Sequence, residues 1–244
     1  MIIDAHAHIS RWEDLGYPGD AETCLRAMDR YEIDVACVSN SRSLRGDFVR
    51  GNRVVAEALR RWPDRFRGWA VAHPLHRDLS LREIRACITE LGFIGCKFHI
   101  SHTAIAYADP RYDPLFDLVR ELQVPVLFHA FDGGAGVAEA ADRHPDVTMI
   151  AGHMGGYRWD EGALTAVSRP NIYLELCCSC PERGIVEMAV ECAGEDRVLF
   201  GTDLPMLSPA TTLGKVHDAD LTDDVKRKIL AGNMARLLGM EAAQ

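Results

Sequence analysis

Short apolar runs alternate with longer amphipathic segments from one end of the chain to the other. Eight runs rich in β-branched and aromatic residues predict strands at 2–6, 34–39, 67–72, 94–99, 125–129, 147–151, 171–175 and 197–201. Between them, apolar residues recur at helical spacing at 21–31, 49–62, 79–91, 112–123, 136–143, 182–193 and 222–238. A further helix near 158–168 is predicted more weakly, because its apolar positions are few.

This alternation predicts parallel strands, since each strand must cross over through a helix to lie beside the next one. Eight such units in one uninterrupted chain of 244 residues favour a closed (β/α)₈ TIM barrel over an open doubly wound sheet. A dinucleotide-binding fold is disfavoured, because no GxGxxG sequence follows the first strand. No linker rich in Gly or Pro divides the chain, so we expect one domain over 1–244.

Composition and charge narrow the class of partner. A formal net charge of -9 disfavours nucleic acid and anionic membrane surfaces. No apolar run approaches the ~20 residues that span a bilayer, and Asp4 interrupts the stretch that a signal peptide needs, so we expect a cytoplasmic protein. Among eight cysteines, Cys177, Cys178 and Cys180 are clustered. No second pair follows them, so they predict a pocket wall or packed core rather than a zinc knuckle, and a redox role stays open.

Metal-binding or proton-transferring side chains stand at or just after the ends of five predicted strands. They are His6 and His8 on the first strand, Lys97 and His99 on the fourth, His129 on the fifth, His153 after the sixth and Asp203 after the eighth. Strand ends of this kind build the active sites of (β/α)₈ barrels, so we expect these groups to converge. Residues two apart on a strand share a face, and paired neutral imidazoles bind divalent transition metals. The pattern therefore predicts a metal site.

The ordered motifs DAHAH, PVLFHA, GHMGG, FGTDLP and GNMARLLG resemble those of the amidohydrolase superfamily of metal-dependent barrels. The resemblance spans the chain and is strongest to the branch of aminocarboxymuconate-semialdehyde decarboxylase and related proteins. It implies that one divalent cation, most often zinc, is bound by His6, His8, His129 and Asp203. It also implies that His153 is a general acid or base near the metal-bound water, or a more distant ligand. Such a metal lowers the pKa of its water to about 7, and Asp203 can accept the proton.

Lys97 and His99 allow two interpretations. The resemblance includes binuclear branches, in which a lysine at this strand end is carbamylated and bridges two metals. Alternatively, Lys97 is unmodified and anchors a substrate carboxylate or pairs with Asp203, and His99 contacts substrate. We favour one ion, Zn²⁺, with Mn²⁺ or a binuclear site as the alternatives.

The loop after the second strand carries Arg42 and Arg45, and arginine forks bind carboxylates in two-point contacts. We therefore expect a metal-dependent hydrolase that attacks a small carboxylated or carbonyl-bearing metabolite through a metal-activated water, with His153 and Asp203 moving protons. The alternative is a nonoxidative decarboxylase, a carbon–carbon lyase that uses the same site. A deoxyribonuclease-like phosphoesterase and a noncatalytic barrel are less favoured. The expected partner is a small molecule, and a homo-oligomer is left open.

Overall fold

The computed structural model describes residues 1–10, 19–44, 46–178 and 180–240. All eight predicted strands are present in this part of the chain, each beginning within two residues of its predicted start. They are β1 Ile3–His8, β2 Val35–Ser39, β3 Phe66–Val71, β4 Phe93–Phe98, β5 Val126–His129, β6 Met149–Gly152, β7 Ile172–Glu175 and β8 Val198–Leu199. None of the helices among the described residues is long and apolar enough to cross a bilayer.

The strands pair in chain order, and every pair is parallel. Hydrogen bonds between β1 and the segment that follows β8 close the ring. The Ala5 amide donates to the Phe200 carbonyl at 2.9 Å, and the His8 amide donates to the Leu204 carbonyl at 2.6 Å. Ala7 and Leu204 also form a parallel bridge. The (β/α)₈ TIM barrel is therefore confirmed.

Helices surround the barrel. They are α1 Ala21–Arg30, α2 Ser41–Leu44, α3 Phe48–Arg61, α4 Arg77–Leu91, α5 Ile100–Thr103, α6 Asp113–Glu121, α7 Ala135–Arg143, α8 Trp159–Leu164, α9 Ile185–Ala193, α10 Pro209–Asp218, α11 Asp223–Arg227 and α12 Asn233–Leu237. The predicted helix at 222–238 contains a π-helical turn, Lys228–Gly232, between α11 and α12. Helix α10 was not predicted, because its buried positions, Pro209, Thr212 and Val216, include one large aliphatic side chain.

Helix α6 shows how the apolar stripes dock onto the barrel. Its buried residues include Leu115, Phe116 and Val119, as the helical spacing predicts. The Phe116 ring packs edge-on against Phe98 of β4, with ring centroids 5.9 Å apart, and also contacts Phe128 of β5. Burying one such ring contributes about 1.5–3 kcal/mol, so this contact fixes the helix against strands that carry site residues.

The interior of the barrel is apolar near the starts of the strands. Ile3, Trp69, Leu127 and Ile150 come from β1, β3, β5 and β6 and form one buried cluster, which places their side chains inside the ring. Trp69 Nε1 donates to the Ala5 carbonyl at 3.0 Å. This layer supports a polar layer above it, at the carboxyl ends of the strands.

Candidate metal centre and active site

Three of the predicted ligands converge where β1 meets the end of β8. His8 Nε2 lies 3.1 Å from Asp203 Oδ1, and His6 Nε2 lies 3.7 Å from the same oxygen. All three residues are buried, and their candidate ligand atoms lie within 4.8 Å of one another. The Asp203 amide donates to the His6 carbonyl at 2.7 Å, which fixes the turn that aims the carboxylate at the histidines.

Asp4 links the DAHAH segment of β1 to the FGTDLP segment after β8. Its carboxylate accepts hydrogen bonds from the Thr202 amide at 3.0 Å, the Thr202 hydroxyl at 2.5 Å and the His6 amide at 3.0 Å. Burial raises the pKa of Asp4 to about 8, although these hydrogen bonds oppose the shift. Asp4 therefore holds the two chain segments that carry His6 and Asp203 in a fixed relation.

The ring of His6 is oriented by Glu175, at the end of β7. His6 Nδ1 lies 2.8 Å from Glu175 Oε2, so the proton of the neutral ring belongs on Nδ1 and the lone pair on Nε2. Lys97 Nζ lies 2.8 Å from that Nε2. The lone pair that Lys97 engages is thus the one that a metal ion on His6 would use.

Glu175 was missed in the sequence, although it is the last residue of the predicted strand 171–175. Besides His6, its carboxylate accepts from the His153 amide at 3.1 Å, from the Cys177 amide at 2.6 Å and from the Cys177 thiol at 2.9 Å. Burial raises its pKa, while His153 and Cys177 act in the opposite direction. The signal that could have found it is an acidic residue at a barrel strand end.

His129 and His153 form a second linked pair. His153 Nδ1 lies 3.0 Å from the Cys177 carbonyl, which can only accept, so this nitrogen carries the proton. His153 Nε2 is then the acceptor, and His129 Nδ1, at 3.0 Å, donates to it. This leaves the lone pair of His129 on Nε2, the arrangement that a metal ligand needs.

The donor set fits a divalent metal ion. His6, His8, His129 and Asp203 offer three imidazoles and one carboxylate, a set of ligands that suits zinc and related metals. His8 has an outer partner as well, since its Nδ1 lies 2.9 Å from the Ser39 hydroxyl. His129 lies outside the closely spaced group of His6, His8 and Asp203, but lines the same cavity as His8 and Asp203.

Electrostatics favour the protonation states that bind a metal. Burial lowers the pKa of His129 to about 2 and that of His153 to about 4, so both rings are neutral near pH 7. Burial alone would raise the pKa of Asp203, but the hydrogen bond from His8 and the nearby imidazoles hold it well below its usual range. Burial also lowers the pKa of Lys97 to about 8.

A cavity of about 320 Å³ opens beside these groups. The residues that line it are His8, Leu44, His99, His102, His129, Phe131, His153, Cys178, Asp203, Met206 and Leu207. The His99 ring stacks on His129 with centroids 3.9 Å apart and planes inclined by 14°. Phe131 stacks on the same imidazole at 5.3 Å and 10°. His129 is thereby held between two parallel rings.

The structure separates the predicted arginine from this cavity. Arg42 lines a different cavity, together with Ser10, Asn40 and Arg50. Arg45 lies outside the described residues. The substrate-binding role of these two arginines stays a prediction, and the described residues that line the histidine cavity include no arginine.

The cysteine cluster lies where a pocket wall was expected. Cys178 lines the histidine cavity, and Cys177 is buried against Glu175, His6 and His153. The described cysteines are free thiols. Burial raises the pKa of Cys177 well above its ordinary value, so the thiol is protonated and donates to Glu175.

Comparison of the whole chain with known proteins identifies its family. The family model described as amidohydrolase matches residues 3–240. Gamma-resorcylate decarboxylase of Polaromonas sp. is 24% identical in an alignment of 279 positions, which spans 87% of this chain and 85% of the relative. A structure of 2,6-dihydroxybenzoate decarboxylase complexed with 2,6-dihydroxybenzoate aligns with a TM-score of 0.80 and 21% identity, covering 99% of each chain. A dihydroxybenzoic acid decarboxylase from Polaromonas sp. JS666, with bound manganese and the inhibitor 2-nitroresorcinol, gives 0.79 and 21%, with 99% and 98% coverage.

These relatives correct the expected activity. The main prediction of a hydrolase is wrong, because the relatives named above are decarboxylases, and these support the alternative prediction better. The chemical reason for the error is that a histidine and aspartate metal site serves either reaction. The expected divalent metal is supported by the donor set and by the manganese in the similar structure. Given the match over residues 3–240, the chain belongs to the amidohydrolase superfamily, in the branch of aminocarboxymuconate-semialdehyde decarboxylase.

Proposed function

We propose that this protein is a metal-dependent, nonoxidative decarboxylase of a hydroxylated aromatic acid. The observation that carries the proposal is the relative named gamma-resorcylate decarboxylase, whose similarity extends over 87% of this chain. In this reaction the bond between the ring carbon and the carboxylate breaks. Carbon dioxide leaves, the electron pair stays on the ring carbon, and one proton takes the place of the carboxylate.

We assign His6, His8, His129 and Asp203 as the residues that would hold a single divalent ion. When bound, such an ion supplies positive charge that orients and polarises the acid. Zinc and manganese both suit this donor set, and the manganese of the similar decarboxylase structure favours manganese. Lys97 Nζ lies 2.8 Å from His6 Nε2, and a binuclear site with a carbamylated Lys97 is the alternative to this single ion.

Asp203 and His153 are assigned to proton transfer. The Asp203 carboxylate lies on the cavity wall and is hydrogen-bonded to His8. Because its pKa lies well below the usual range, Asp203 is ionised near pH 7 and can accept a proton before passing it to carbon. His153 lines the same cavity, and the Cys177 carbonyl fixes the tautomer in which Nε2 accepts a proton. The two groups can thus hold and release the proton that replaces the carboxylate.

The walls of the cavity favour loss of carbon dioxide. Leu44, Phe131, Met206 and Leu207 contribute apolar surface, whereas the polar groups are concentrated around Asp203 and the histidines. Decarboxylation turns a carboxylate anion into a neutral molecule. An apolar surrounding stabilises the anion poorly and therefore lowers the barrier to that step.

The test is to load the purified protein with manganese and incubate it with 2,6-dihydroxybenzoate, other hydroxybenzoates, lactones and amides. We expect one carbon dioxide and one phenol for each hydroxybenzoate consumed, and no hydrolysis. The His8→Ala variant, which lacks one ligand, should be inactive, whereas His217→Ala, in an exposed part of α10, should match the wild type. Hydrolysis of a lactone or amide without carbon dioxide release would refute the proposal.

A further inference from the structure

His99 has a buried nitrogen that lacks a partner. Among the described residues, two buried side-chain nitrogens make no hydrogen bond, His99 Nδ1 and Arg120 Nε. Arg120 Nε lies 2.5 Å from Asp146 Oδ2, so an ion pair compensates it. His99 Nδ1 therefore stands alone in this part of the chain. Native proteins pair nearly all buried polar groups, so an exception at a cavity indicates a group that serves a ligand.

The position of His99 supports a role toward the substrate. Its ring lines the same cavity as His8, His129 and Asp203, and it stacks on His129 with centroids 3.9 Å apart. His99 follows β4 two residues after Lys97, so both side chains are directed to the inside of the barrel. The unpartnered nitrogen of His99 therefore lies in the cavity that the assigned ligands His8, His129 and Asp203 also line.

We propose that His99 Nδ1 binds an ortho hydroxyl of the aromatic acid and thereby selects acids that carry one. This inference rests on the proposed function, since it takes a hydroxylated benzoate as the ligand. A hydroxyl both donates and accepts, so it satisfies an imidazole nitrogen in either tautomer. Leu44, Met206 and Leu207 also line this cavity, and their apolar surfaces suit the aromatic ring rather than its polar groups.

The preference for a hydroxylated acid follows from the unpaired nitrogen that any other acid leaves in the site. An acid without the hydroxyl leaves His99 Nδ1 buried and unpaired, as it is in this structure. A site built to hydrogen-bond a hydroxyl rejects the analogue that lacks it, because the protein group then loses water without gaining a partner. Loss of His99 should therefore remove a preference between ligands rather than weaken all ligands equally.

Calorimetric binding to the manganese-loaded protein tests this with two ligands that lose no carbon dioxide, 2-nitroresorcinol and nitrobenzene, which lacks the ortho hydroxyls. We expect the wild type to bind 2-nitroresorcinol about tenfold more tightly. His99→Phe retains a ring that stacks on His129 and should bind both ligands equally. His99→Asn, whose amide reaches the position of Nδ1, should keep most of the preference. The matched control is His217→Phe, which makes the same substitution at an exposed histidine of α10 and should bind both ligands as the wild type does.

Three results would overturn the inference: an unchanged preference in His99→Phe, equal weakening of both ligands, or loss of bound manganese, which would make His99 a metal ligand. Elemental analysis of each variant provides the last readout. The outcome is separable from that of the proposed function. If binding depends on the hydroxyl and on His99 but no acid releases carbon dioxide, the proposed decarboxylase function alone is refuted. Carbon dioxide release with an unchanged preference in His99→Phe would refute this inference alone.

Discussion

Replacing Glu175 by Gln keeps the shape of the side chain and removes its charge and one acceptor oxygen. Glu175 Oε2 accepts from His6 Nδ1 at 2.8 Å and from the His153 amide at 3.1 Å, while Oε1 accepts from the Cys177 amide at 2.6 Å. Whichever way the new amide is turned, its NH₂ faces at least one of these N–H donors. The Glu175→Gln variant therefore buries at least one unsatisfied donor beside the predicted metal ligand His6.

The magnitude follows from the burial of this group. One buried donor without a partner costs about 1–3 kcal/mol of unfolding free energy. For a chain of this length a loss of about 2 kcal/mol lowers Tm by roughly 4–8 °C. Because Glu175 also fixes the tautomer of His6, the affinity for manganese should fall by about 10–100-fold. The two effects are measured separately, by thermal unfolding of the metal-free protein and by calorimetric titration with Mn²⁺.

Glu83→Gln is the matched control. Glu83 is buried as well, with 6% exposure, and accepts from Asn52 at 3.3 Å and Arg53 at 3.1 Å, away from the histidines. It should lose stability with unchanged manganese affinity. Manganese affinity that is unchanged in Glu175→Gln as well, despite the lower Tm, would refute the claim that Glu175 orients a metal ligand.

Three further predictions concern stability, packing and metal number. Burial lowers the pKa of His153 to about 4 in the folded state, from an ordinary value of 6.5. Between these two pH values the unfolded state binds more protons than the folded state. The free energy of unfolding therefore falls by about 3 kcal/mol as the pH drops through that window. Urea unfolding of the metal-free protein at pH 7 and 4.5 should show this loss, and a His153→Gln variant with the same slope would contradict it. Gly201→Ala brings a Cβ into steric overlap with Glu175 Oε1, so it should weaken manganese binding in calorimetry as Glu175→Gln does. Wild-type affinity would contradict the contact. Lys97→Met removes the amine that competes with a metal ion for the His6 lone pair, so elemental analysis should still find one ion per chain. A metal content of half the wild-type value would indicate a binuclear site.

The fold and much of the site could be predicted because both follow from periodicity. Parallel strands in a barrel bring their carboxyl ends to one edge, so His6, His8 and Asp203 meet although they lie far apart in the sequence. The strand boundaries at this edge were accurate to within a few residues, which was sufficient to identify the side chains that face the cavity. The predicted ligand set itself stays a prediction.

Other features depend on information that periodicity does not carry. Glu175 is an ordinary acidic residue until burial places it between His6 and Cys177. Arg42 lies in the short helix α2 after β2, and its direction depends on tertiary contacts, which place it at a different cavity. The choice between hydrolysis and decarboxylation depends on the substrate, because the same ligands serve both reactions.

The most direct test of the proposed decarboxylase is to run the reaction in D₂O with 2,6-dihydroxybenzoate labelled with ¹³C in its carboxyl group. Mass spectrometry of the manganese-loaded reaction should find ¹³CO₂ and a phenol with one deuterium on the carbon that carried the carboxylate. The Asp203→Asn variant should form neither product. Consumption of the acid that leaves ¹³C in the aromatic product, or release of ¹³CO₂ at the same rate by wild type and Asp203→Asn, would contradict the proposal.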